Sequence, residues 1–98
     1  VTDKMAACIR ERLDRKTVEM YKAFQDLSNH TSAQKRPVMF KAQAKWNIES
    51  GKRCEKDPDY LEFGGGTHYP GSYSRVIYIL CILKEVEKRT EQLRRQAR

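Results

Sequence analysis

The residues that could carry out chemistry in this chain are few and lie far apart. They comprise three cysteines, Cys8, Cys54 and Cys81, and two histidines, His30 and His68. A structural zinc site takes four ligands, which usually include closely spaced pairs such as CxxC or HxxxH. The chain contains neither pattern. The spacing therefore predicts no metal site.

A cysteine nucleophile is the next chemistry to consider. Cys54 follows Lys52 and Arg53, whose positive charges favour a reactive thiolate. His68 could act as its base, but no orienting carboxylate or oxyanion hole accompanies the pair at a recognisable spacing. The two aspartates that flank Pro58 have the spacing of turn residues. We therefore predict that the protein is not an enzyme.

A glycine-rich segment precedes the last apolar stretch of the chain. Gly66 and Gly71 have the GxxxxG spacing of a phosphate-binding loop. No lysine follows Gly71, and Pro58 interrupts the region where the preceding strand would lie. We interpret residues 64–71 as a connector, or as a flap in which Tyr69 and His68 contact a partner, and we predict no cofactor.

The cysteines also bear on the compartment. Their number is odd, and Cys8 and Cys81 lie among apolar residues at helical spacing, as small buried hydrophobic residues do. This pattern predicts reduced thiols and an intracellular protein.

The stretch from Tyr73 to Arg98 is the element that must position the rest. Its apolar first half passes into a charged second half with no turn residue between them, which favours one continuous helix over a buried strand. Apolar residues and one threonine recur there at steps of three and four, the seam that a helix presents to a packed partner. The seam comprises Val76, Ile79, Leu83, Val86, Thr90, Leu93 and Ala97.

Two further helical patterns precede this stretch. We predict an all-α fold, a small bundle of three main helices at about 3–27, 33–50 and 73–97, with an irregular Gly-rich connection before the last, long helix. Gly51 is interpreted as the stop of the second helix, and a helical turn is expected near 60–63. The expected core comprises Ile9, Leu13, Met20, Phe24, Met39, Trp46, Val76, Ile79, Leu80 and Leu83.

Chain length and net charge limit the classes of partner that this chain could bind. The chain has 98 residues, 20 of them basic and 13 acidic, for a net charge of +7. A basic balance favours acidic partners, and no apolar run is long enough to span a membrane. We expect a single domain over residues 1–98, excised from a larger protein because the chain starts at Val1 and stops within a helical pattern.

The first function hypothesis is a helical protein–protein interaction module. The first two helices are expected to cover only the first half of the seam. We therefore predict that its second half, the distal seam, binds an amphipathic, acidic segment of another protein or self-associates as a coiled coil. Three helices with a long basic third one resemble the activator-docking domains of transcriptional coactivators, which implies an intracellular, nuclear protein of transcription regulation. The predicted contact residues are Lys45, Tyr69, Tyr73, Val86, Arg89 and Leu93.

The alternative hypothesis is a nucleic-acid-binding domain. Basic residues cluster in the second helix and crowd the end of the last one, and Tyr69 and Tyr73 could stack on bases. No known nucleic-acid-binding motif accompanies them.

Overall fold

The computed structural model describes residues 3–67 and 72–98, and this part of the chain contains α-helices and no β-strand. The prediction of a small all-α bundle with three main helices is confirmed. None of the described helices is long and apolar enough to cross a membrane. The helices are α1 (Asp3–Asn29), α2 (Arg36–Glu55), α3 (Pro58–Glu62) and α4 (Ser72–Gln96).

Local signals account for the starts of α2 and α3. Pro37 lies in the first turn of α2, where its missing N–H costs nothing. The carboxylate of Asp57 caps α3 by accepting hydrogen bonds from the backbone N–H groups of Asp59 and Tyr60, at 3.0 and 3.1 Å. The predicted stop at Gly51 is wrong, because α2 continues to Glu55.

Gly51 lies inside α2 at a half-buried position near Tyr78 of α4. A Cβ atom there would lie 3.6 Å from the Tyr78 hydroxyl oxygen, which is ordinary van der Waals contact, so the packing does not require glycine. Four further residues of α2 follow it, and the helix ends at Glu55.

α4 is the central element of the fold. α1 runs parallel to it, since Ala6 lies beside Val76 near one end and Asp26 beside Ala97 near the other. α2 runs antiparallel to α4, because Gln43 contacts Arg89 while the end of α2 lies against the first half of α4. α4 thus uses one side for α1 and another for α2.

The distal seam of α4 has a partner within the chain. α1 has 27 residues and α4 has 25, so the helices are about 40 and 38 Å long and match along their lengths. Val86 and Leu93 are 3% and 0% exposed. The expectation that the distal seam has no packing partner within the chain is therefore wrong. The largest core cluster comprises Met20, Ala23, Phe24, Leu27, Val86 and Leu93.

The expected core lies mostly inside, with one clear exception. Met20, Phe24, Val76 and Leu83 are buried. Leu80 is 39% exposed, because it lies on a side of α4 that neither α1 nor α2 covers. The other five are half-buried: Ile9, Leu13, Met39, Trp46 and Ile79.

The bundle is elongated, with extents of 46 × 24 × 17 Å and a radius of gyration of 15.6 Å. A compact chain of this length has a radius of gyration of about 13 Å. The helices therefore form one thin core, and a large part of each helix surface stays in contact with solvent.

Burial of the seam predicts a stability effect. Leu93→Ala removes a fully buried side chain and is expected to lower the free energy of unfolding by about 2–5 kcal/mol. The matched control is Leu80→Ala, which deletes the same atoms from an exposed position. Urea denaturation of both variants measures the difference, and equal losses would contradict the packing of α1 on α4.

Candidate protein-binding surface

A disulfide joins α2 to α4. Cys54, which is completely buried, pairs with Cys81, and their Cα atoms are 5.7 Å apart. The interpretation of Cys81 as a reduced, buried thiol is therefore wrong. The odd number of cysteines led to this error. Cys8 is the cysteine left without a partner, and it lies free and exposed on α1.

An ion pair accompanies the disulfide. Arg53 donates two hydrogen bonds to Glu85, from Nε to Oε1 at 2.7 Å and from Nη2 to Oε2 at 3.0 Å. The Glu85 side chain is only 16% exposed, and the hydrogen bond from Arg53 lowers the pKa of its carboxyl group below the usual value. A covalent link and a bidentate ion pair thus hold the end of α2 on α4.

A buried glutamine connects the three long helices. Gln43 is 6% exposed, and its Oε1 accepts a hydrogen bond of 2.8 Å from Arg89 Nε. Its Nε2 lies 3.8 Å from the sulfur of Met20 on α1. Burial lowers the pKa of the Arg89 guanidinium, whose Nε donor is used in this internal hydrogen bond.

The third side of α4 forms, with the end of α3, the surface that we call the α3–α4 surface. On α4 its residues follow one another at steps of four, three, four and four, so they share one helix face. They border an open cleft of about 460 Å³. The surface comprises Phe63, Tyr73, Ile77, Leu80, Lys84 and Lys88.

The apolar half of the α3–α4 surface is exposed and ordered. Phe63 and Tyr73 are 48% and 47% exposed, and their rings meet edge to face with centroids 4.6 Å apart. Leu80 continues the patch along α4, and Ile77 lies half-buried beside it. This patch is a contiguous group of exposed large apolar side chains bordering one cleft.

The basic half consists of Lys84 and Lys88, both exposed. Neither has an ion-pair partner within 4 Å among residues 3–67 and 72–98. Three carboxylates also line this cleft: Glu85 is paired with Arg53, Asp57 caps α3, and Asp59 lies in the first turn of α3. Because none of them lies within 4 Å of either lysine, the ammonium groups remain available to an acidic partner.

A second surface is the groove between α1 and α2, with α4 as its floor. Its volume is about 330 Å³, and its lining includes Tyr21, Trp46 and Tyr78. Burial raises the pKa of the Tyr78 hydroxyl group. Towards the start of α1 the groove meets a cleft of about 540 Å³, whose two basic and two acidic side chains balance in charge: Arg10, Arg75, Asp3 and Glu55.

The predicted contact residues lie at scattered places. Tyr73 belongs to the α3–α4 surface, and Lys45 is exposed on α2, 3.8 Å from Glu49. Tyr69 lies outside the described residues. Their role in binding stays a prediction.

The other three predicted contacts are taken up inside the protein. Val86 and Leu93 are buried against α1, and Arg89 bonds to Gln43. A partner would have to displace these contacts to reach them. We therefore do not assign them to the binding surface.

Sequence reasoning missed Phe63, Leu80, Lys84 and Lys88. The signal was present, because the last three follow Tyr73 and Ile77 at helical spacing. The apolar residues beside the seam were instead taken as a sign that α4 is enclosed on most sides.

Among the described residues, no group of three His, Cys, Asp or Glu side chains could hold a metal ion.

The disulfide predicts a loss of stability on removal. The double variant Cys54→Ser/Cys81→Ser opens a closure over 27 residues and is expected to cost about 3–4 kcal/mol, chiefly because the unfolded chain gains freedom. Cys8→Ser is the control and should leave urea denaturation unchanged. A double variant as stable as the wild type would contradict the bond.

The Arg53–Glu85 pair predicts a pH dependence. Because the pKa of Glu85 is lowered in the folded chain, its contribution to stability is complete above the pKa of the unfolded carboxyl group. It is lost as the pH falls through the lowered value. Urea denaturation between about pH 7 and pH 2 should show a stability gap between the wild type and Glu85→Gln that closes with acid. The control, exposed Glu62→Gln on α3, should show no such gap, and a gap that persists in acid would contradict the pair.

Comparison with known proteins supplies the functional context. The family model described as "Lysozyme inhibitor LprI" matches residues 1–93, almost the whole chain. No curated protein and no solved structure matches this chain.

The match overturns the functional predictions. A nuclear module of transcription regulation is wrong, and so is the intracellular localisation, since lysozyme inhibitors of this family act outside the cytoplasm. The error has two causes: an architectural resemblance, which does not determine function, and the assumption of reduced thiols. An inhibitor role is compatible with a protein partner and with a protein that is not an enzyme.

Proposed function

We propose that this chain, which belongs to the LprI family of lysozyme inhibitors, binds a lysozyme and inhibits it without catalysing a reaction. The observation that carries the proposal is the family match over residues 1–93.

The disulfide supports a site of action outside the cytoplasm. Bonds such as Cys54–Cys81 form and persist in oxidising compartments, and they are rare where glutathione and thioredoxin keep thiols reduced. The chain is small and thin, so its single core gains from a covalent link between two helices. An extracytoplasmic inhibitor meets both conditions.

The mode of inhibition follows from the chemistry of the target. Lysozyme cleaves a glycosidic bond between two carboxyl groups, one acting as the acid and the other as the nucleophile. A protein that covers this cleft excludes the polysaccharide substrate and needs no chemistry of its own. Exposed basic side chains on the inhibitor complement the ionised carboxylate of that cleft.

The test is a titration of lysozyme with the purified, disulfide-bonded chain. Hydrolysis of a bacterial cell-wall suspension should fall in proportion to the inhibitor added, and calorimetry should give a saturable stoichiometry. Leu93→Asp, which places a charge in the core, serves as an unfolded control and should not inhibit. Full lysozyme activity at saturating concentrations of the folded chain would contradict the proposal.

A further inference from the structure

The geometry points to the α3–α4 surface as the part of the chain that contacts lysozyme, with Lys84 and Lys88 facing the carboxylates of the substrate cleft. This inference rests on the proposed function and names the surface that performs it.

The apolar half of the surface has the composition of an interface centre. Aromatic residues are enriched at the cores of protein interfaces, and large exposed apolar patches mark binding sites. Phe63, Tyr73 and Leu80 are each 39–48% exposed and border one cleft. Covering them removes apolar area from water, which is the main favourable term in association.

Large exposed apolar residues elsewhere are not grouped in this way, and Tyr21 alone among them borders a described cleft, the groove between α1 and α2. Val38 and Ile48 on α2 are 69% and 60% exposed, yet neither borders a described cleft. Phe40 is exposed on one side and uses the other to pack on Phe24, with ring centroids 5.1 Å apart. Isolated residues of this kind are ordinary on protein surfaces.

The two lysines beside the apolar patch favour an acidic partner surface. Lys84 and Lys88 are four residues apart, about 6 Å along the helix, and directly follow the apolar patch. Their ammonium groups lie on flexible four-carbon stems that can reach into a cleft. The two carboxyl groups of a lysozyme cleft lie at a similar spacing, about 5–5.5 Å for a retaining enzyme; one is ionised as the nucleophile and the other holds a proton as the acid, so they offer the ammonium groups one full negative charge and further hydrogen-bond acceptors.

The surface is formed before a partner arrives. Cys81 and Glu85 lie at its edge, and their links to Cys54 and Arg53 hold α4 against α2. The contact between the rings of Phe63 and Tyr73 holds α3 against α4. Binding therefore costs little conformational entropy of this chain, which favours affinity.

The groove between α1 and α2 is the weaker candidate for the same partner. Its wider end carries two basic and two acidic side chains, and its lining lacks a pair of exposed aromatic rings in contact such as Phe63 and Tyr73. Lys45, another exposed cation, already lies 3.8 Å from Glu49. An acidic cleft is better matched by the lysines of α4.

The experiment compares matched variants for inhibition of lysozyme and for binding by calorimetry. Lys84→Glu/Lys88→Glu reverses the basic half, and Lys41→Glu/Lys52→Glu makes the same charge change on exposed positions of α2. Tyr73→Ala tests the apolar half against Ile48→Ala. Thermal denaturation checks that all four variants are folded, as expected for exposed positions.

The lysine reversal and Tyr73→Ala are each expected to weaken inhibition at least about tenfold, while both α2 controls stay near the wild type. An oligosaccharide of N-acetylglucosamine bound in the lysozyme cleft should compete with the chain. Equal inhibition by all variants would overturn the choice of surface and leave the proposed function intact. Failure of the saccharide to compete would overturn the placement at the cleft. A wild-type chain that inhibits no lysozyme would remove the proposed function and this inference with it.

Discussion

The packing of α1 along the whole length of α4 is the interaction on which the rest of the structure depends. Leu93 is fully buried near the far end of α4, and Val76 is buried near its start, so the seam is covered from Val76 to Leu93. The two helices match in length, so their apolar faces pack along a continuous line. The bundle is too thin for a second core. With this side of α4 occupied, the remaining sides are free for other tasks.

α2 uses the second side of α4 through links that do not rely on apolar area alone. The disulfide to Cys81 and the ion pair to Glu85 fix the end of α2, while Gln43 contacts both α4 and α1. These directional contacts set the rotation of α4 about its axis. They determine which of its residues face outwards, and so they expose Tyr73, Leu80 and Lys84.

An inhibitor places different demands on a fold than an enzyme does. It needs a surface that keeps its shape and complements the target, and it needs no perturbed acid or nucleophile. The described part of this chain presents an exposed apolar patch beside unpaired cations on a bundle with a covalent link. That combination fits the proposed role, in which the target works with carboxylates.

The sequence by itself determined the helical fold and the continuous last helix, because apolar spacing, caps and the absence of a turn after Leu83 are local properties. It also contained the stripe from Tyr73 to Lys88. Only the tertiary structure decided that Cys54 meets Cys81 and that Leu93 is covered while Leu80 is open. These outcomes depend on which helix lies on which side of α4, and residues far apart in the chain set that arrangement together.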